Sequence, residues 1–265
     1  MIVLSYIMFI KSYFRLRWLF GVTGYIMTSG VTFVNAQGAV PEPTITIKFR
    51  VIAWQSGSPS NFSYQNNGKS ILVKDVYADT RSAAYDYTGP ATLNLYPIAP
   101  PNTGKPSATL AEPPKPIASI LIPVAIRSPL FVLMPNPGGP EAYRAEVFDD
   151  SPEVFPFPSY FLVNYSQQRI AAAIGQSRVF IEPEQSHLVL SKDKTLNLKL
   201  GVSVEKNRGW KLVYDDYFPN WSDLRTVIFI VNDTTGTRPR LVIRTLLENR
   251  AVWDSDQNVG GKQAH

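Results

Sequence analysis

"TLNLKLGVSVE", Thr195 to Glu205, alternates without a break. Leu196, Leu198, Leu200, Val202 and Val204 fall on one side, and Thr195, Asn197, Lys199, Gly201 and Ser203 on the other. A period of two is the signature of a strand with one buried and one wet face, which is common in antiparallel sheets. "TITIKFRVIAW" (Thr44 to Trp54) repeats the pattern. Ile45, Ile47, Phe49, Val51 and Ala53 oppose a polar side carrying Thr46, Lys48 and Arg50, with Trp54 on that polar side by parity. "TVIFIVN" (Thr226 to Asn232) is apolar on both faces and reads as a central strand covered from each side. Beyond the N-terminal segment there is no sustained 3.6-residue stripe. "RIAAAIG" (Arg169 to Gly175) has helical propensity, but it is short and ends in Gly, so it is read as a strand.

Many short strands with frequent turn signals predict an all-β fold, an antiparallel β-sandwich. The chain has 265 residues. Residues 37–150 are assigned to a first sandwich, 151–158 to an aromatic, proline-containing connection, 159–250 to a second sandwich and 251–265 to a disordered tail. One large sandwich is the alternative. Seven of the 22 prolines lie between Pro97 and Pro116. Such a stretch cannot be a central strand, so 97–116 is expected to be a surface loop of the first sandwich.

The first 36 residues read as an export signal. Lys11, Arg15 and Arg17 precede an uncharged run from Trp18 to Val34, and Val34 and Ala36 fit a cleavage site between Ala36 and Gln37. A membrane anchor over 18–34 is the alternative, although the run is short and holds three glycines. The apolar residues before Lys11 suggest that translation begins at Met8. Cleavage leaves 23 basic against 21 acidic residues, a net charge of +2. With no basic run, nothing favours nucleic acid.

Cysteine is absent, which removes disulfides, thiolate metal sites and a Cys nucleophile. An exported chain without cysteine fits a bacterial periplasm or cell exterior. In a bacterium, the four Asn-x-Ser/Thr sequons at Asn61, Asn164, Asn220 and Asn232 carry no glycan implication.

Two stretches echo one another. "AEVFDDSPEVFPFPSYFLVNYSQQRIAAAIG" and "KLVYDDYFPNWSDLRTVIFIVNDTTGTRPRLVIR" share an aromatic–Asp–Asp, an aromatic connection and an apolar strand ending in Val-Asn. This suggests an internal repeat, faint over residues 37–140. With "ITIKFRVIAW", these segments resemble secreted bacterial proteins of planctomycete and verrucomicrobia type that carry tandem immunoglobulin-like repeats of unknown function. The resemblance implies two immunoglobulin-like sandwiches after a signal peptide. It brings no catalytic motif and no function.

Asp149/Asp150 and Asp215/Asp216 are the first chemical candidates. Adjacent strand residues point to opposite faces, and neither stretch has the alternating oxygens and Gly of a calcium loop. Both pairs are therefore expected to be turn formers at strand ends. His187 is the only histidine before the last residue, His265, which leaves no basis for a triad or a zinc site. Gly138-Gly139 is a turn and lacks the spacing of a phosphate loop. No cofactor is implied.

Aromatic residues are the best lead. Trp54, Trp210, Tyr214 and Trp221 are the candidate ligand-binding residues, with Tyr85 and Tyr87 also noted. They could stack on sugars or cover sandwich seams. The reading is an exported, non-enzymatic structural or protein-interaction module of the cell envelope, with another envelope protein or a glycan as its partner. The alternatives are a carbohydrate-binding module using exposed Trp and Tyr, and, least favoured, a hydrolase with paired carboxylates. Membrane contact would come only through an uncleaved 18–34.

Overall fold

The computed structural model describes residues 42–54, 61–98, 114–206, 209–233 and 240–259. Ala36, Gln37, the 18–34 run, His265 and most of the 97–116 stretch lie outside them.

The described chain is all-β apart from one helix. The first eight strands are β1 (Thr44–Ala53), β2 (Phe62–Asn66), β3 (Lys69–Val73), β4 (Tyr85–Pro90), β5 (Thr92–Tyr96), β6 (Ala118–Leu121), β7 (Pro129–Pro135) and β8 (Tyr143–Asp149). The second eight are β9 (Ser159–Tyr165), β10 (Ile170–Ile174), β11 (Ser177–Ile181), β12 (Ser186–Leu190), β13 (Asn197–Lys206), β14 (Gly209–Pro219), β15 (Leu224–Asp233) and β16 (Arg240–Asn249). Helix α1 (Arg250–Val259) follows.

Each set of eight makes two four-stranded sheets. The first gives β4-β1-β7-β8 and β3-β2-β5-β6, the second β12-β9-β15-β16 and β11-β10-β13-β14. Adding eight to each strand number converts one set into the other. All pairs are antiparallel except β1 with β7 and β9 with β15, which are themselves equivalent. The finer expectation needs correcting. Immunoglobulin sheets run ABED and CFG, whereas here the first strand is flanked by the fourth and seventh. The sequence echo is also not the structural repeat. It aligned β8–β9 with β14–β15, yet the counterpart of β9 is β1 and that of β15 is β7. The true repeat, β1–β8 with β9–β16, left almost no trace in residue identity.

Three cores show how the sheets stack. Phe49, Val51, Leu93 and Phe131 fill the first sandwich. Leu162, Leu200, Ile228 and Ile230 fill the second. A third core, with Ile52, Val132, Val163, Val227 and Phe229, lies between the two inner sheets. The inner sheets are therefore buried on both faces, forming the middle layers of a four-layer stack. This explains β15, whose apolar residues divide between the second and third cores. It also corrects the reading of β1, whose polar face is wet only at its start. From Phe49 to Ala53 every residue is buried. β13 keeps one wet face as expected, but Leu196 lies just before the strand and is exposed.

Helix α1 corrects the expected tail. Asn249 caps it, its Oδ1 accepting from Ala251 N at 2.8 Å. Trp253 is buried.

Candidate functional site

The four aromatic candidates are not brought together. Trp54 lies in the seam, edge-on to Tyr165 and Phe229 at ring distances of 5.1 and 5.6 Å. The Arg244 guanidinium sits 5.2 Å over its ring and donates to the Trp54 carbonyl. Tyr214 is half-buried against the second core and donates to Asp216 at 3.3 Å. Trp221 is exposed in the turn before β15. Trp210 stands on the outer face of the second sandwich. Tyr85 and Tyr87 pack into the first core. His187 borders a shallow cleft between β11 and β12, and partial burial lowers its pKa.

The acid pairs diverge. Asp149 is a turn former, accepting from Ser151 N at 3.0 Å. Asp150 is not: it is buried and ion-paired. Asp215 and Asp216 are in the middle of β14, not at a strand end, and both are exposed. Asp215 pairs with Lys199 at 2.9 Å, raising the lysine's pKa. The two sequons at Asn164 and Asn220 are structural. Asn164 is buried and its amide donates to the Gln168 and Ile181 carbonyls. Asn220 donates to the Asp193 and Thr195 carbonyls.

Asp150 belongs to a junction that no sequence motif revealed. Arg50 of β1 and Arg81 after β3 come from the first sandwich, Arg225 of β15 and Glu248 of β16 from the second. Glu248 accepts from Arg50 at 2.8 Å and from Arg225 Nε at 2.8 Å. Arg81 grips Asp150 with two bonds, 3.0 and 2.9 Å. Helix α1 closes the cluster. Its Trp253 ring stacks on Arg50 and Arg225 at 4.3 and 4.6 Å, and Asp256 lies 3.1 Å from Arg50. Lys48 donates to the Gln257 carbonyl at 2.7 Å.

Electrostatics decide what this cluster can do. Three guanidiniums face two buried carboxylates, and Asp256 supplies the third. Burial pulls the Arg225 pKa down, and Asp150 and Glu248 offset only part of that. For Arg81 burial works the same way, but the same two acids prevail and the pKa is raised. Among the described residues, Arg50 Nε and Arg81 Nη1 have no hydrogen-bond partner. Removing two charges from water costs about as much as their attraction returns. The ion pairs therefore add little net stability of their own, while losing one partner would strand a buried charge.

The outer sheet of the second sandwich carries a different arrangement. Phe180, Trp210, Leu212 and Tyr217 are exposed by 60, 43, 56 and 66%. Register places Phe180 in line with Ala171, Ser203 and Leu212, and Trp210 opposite Glu205. Small residues thus form the middle of the face and large apolar ones its flanks. Gly201 leaves room for Leu212, whose Cδ1 would sit 3.6 Å from a Cβ there. The Phe180 and Trp210 rings are 5.3 Å apart and tilted by 38°. Arg169 lies over both and pairs with Glu182 at 2.8 Å.

No family model matches the chain, and no curated protein matches it. Among solved structures, it is similar to the tandem C2 domains of Extended-Synaptotagmin 2. Identity is 9% over 86% of this chain and 98% of that one, with a TM-score of 0.21. It is also similar to a longer portion of that protein, which joins the SMP domain to the same two C2 domains. There identity is 10% over 82% of this chain and 53% of that one, at a TM-score of 0.21. Superpositions at that score carry no argument about this chain.

Proposed function

We propose that this chain is an exported, non-enzymatic interaction module of the cell envelope, which presents the outer face of its second sandwich to a protein partner. The observation behind this reading is the patch of Phe180, Trp210, Leu212 and Tyr217. Large aromatic and aliphatic side chains beside Arg are the usual anchors of protein interfaces. The rim carries both signs of charge, Arg169 with Glu182 and Lys199 with Asp215, which suits a protein better than an anionic lipid surface. Tilted rings with an arginine already over them are poorly arranged to stack on a flat sugar. The doubly covered inner sheets and the locked junction would hold the face rigid, limiting the entropy lost on binding.

The test is site-specific photo-crosslinking of the full chain in its own cells. A photoreactive residue replacing Leu212 should give one discrete adduct, absent with the residue at exposed Lys194 and lost when Trp210→Ala is added. No adduct, or the same adduct from both positions, would overturn the proposal. N-terminal sequencing of the product tests export, with Gln37 expected first.

A further inference from the structure

In the first sandwich the central strand pair of the outer sheet parts early, whereas the corresponding pair of the second stays closed. β10 and β13 stay paired over five residues, Ile170–Ile174 with Val204–Leu200. Their counterparts β2 and β5 pair only at Ser63/Tyr96 and Tyr64/Leu95. Beyond Tyr64 the two strands part, and a wedge opens between the β2–β3 hairpin tip and the start of β5. The β4–β5 corner closes its end. Asn67 and Gly68 form the tip, both with positive φ (50° and 76°), as a two-residue hairpin loop requires. Asn66 ties the tip to β4: its amide donates to the Asp86 carbonyl at 3.0 Å and accepts from Thr88 N at 3.0 Å. The wedge is thus a fixed feature of about 370 Å3, within the roughly 300–1,000 Å3 of small-molecule sites.

Its chemistry is uniform. None of the eleven lining residues is charged. The polar groups are the amides of Gln65, Asn67 and Asn94 and the hydroxyls of Thr88 and Thr92, beside the half-buried Tyr96. Among the described residues, none of the three amide side chains has a hydrogen-bond partner. Tyr87 is committed to the fold. Its hydroxyl donates to the Pro90 carbonyl at 2.8 Å, and its ring covers Gly89 so closely that a Cβ there would meet it at 2.6–3.0 Å.

We infer that this wedge binds a neutral saccharide. Each amide offers a donor beside an acceptor, the pairing that neighbouring hydroxyls need. An anionic ligand would lose water, find no counter-charge among the lining residues and approach the Glu42 carboxylate, which accepts from Thr92 N at 2.6 Å. An apolar ligand would leave three amides unpaired. Tyr96 supplies an aromatic surface for the C–H side of a sugar ring. The inference is independent of the docking face on the other sandwich.

The test is calorimetric titration of the full chain with neutral hexasaccharides of the cellulose, xylan, mannan and β-1,3-glucan types, with trigalacturonic acid as the charged control. At least one neutral hexasaccharide should bind, and Gln65→Ala and Asn94→Ala should each weaken it by about tenfold. Both side chains point away from the core, so the thermal midpoint should not move. Trp210→Ala should leave sugar binding intact, which separates this result from the fate of the docking face. No binding by any neutral hexasaccharide, binding unchanged in both variants, or equal binding of the acidic control would overturn the inference.

Discussion

The two sandwiches share one strand order, yet their outer sheets have little else in common. The second has a continuous outer sheet with a small-residue centre and aromatic flanks. In the first the corresponding sheet splits after two residue pairs and opens an uncharged wedge. The inner sheets also differ in length, β1 and β7 pairing over four residues and β9 and β15 over seven, but what constrains both is burial. Each inner sheet is packed on both faces, so a slip of one residue would misplace side chains in two cores at once. An outer sheet answers to one core only, so its free face can change without unfolding the chain.

The junction is the place to break that comparison. Glu248→Ala leaves three guanidiniums with Asp150 as the only other fully buried acid among the described residues, and should cost about 3–5 kcal/mol. Urea unfolding should show the largest fall in midpoint of the variants considered, with two separate transitions if the sandwiches come apart. An unchanged midpoint would mean that the ion cluster is solvated in solution. Trp253→Ala removes the ring that covers Arg50 and Arg225, and about 3 kcal/mol is expected from the lost burial and cation–π contacts. Near-ultraviolet circular dichroism together with urea unfolding measures it.

Alkali acts on tyrosines in all three cores. The Tyr160 pKa is pushed up to about 12, chiefly by burial and then by Asp193, and those of Tyr64 and Tyr165 are also raised, chiefly by burial. The folded state holds these protons longer than the unfolded chain does. The stability is therefore complete below the ordinary pKa of about 10 and declines as pH rises toward 12. Tyr160→Phe should flatten that decline when thermal midpoints are compared across the window. A decline of the same slope would show that Tyr160 does not drive it. Smallest of all, Tyr217→Asp on the open face should move stability by no more than about 0.5 kcal/mol while abolishing the adduct formed by the photoreactive residue at position 212. A large loss would show that the face is covered in the free protein.

Much of the strand content was legible. Alternation gave β1 and β13, and a doubly apolar run identified β15 as covered on both sides. Helix α1 was not legible: its stretch is polar, the one side chain of it described as buried is Trp253, and it was read as a tail. Arg50 illustrates the other limit. Its parity with Lys48 marks a polar face, and only a second sheet packed against that face turns it into a junction. Asp150 is a further case, since nothing local separates it from Asp149, yet one shapes a turn and the other holds Arg81.

The sequence by itself determined the class of structure, because period two is a local property that each strand carries alone. It also determined that the chain lacks cysteine chemistry. Only the tertiary structure decided which polar faces meet water, which aromatics close a seam and where two strands part to leave a wedge. Those outcomes depend on sheet-to-sheet contacts between residues as distant as Arg50 and Glu248, and no short window of sequence contains both partners.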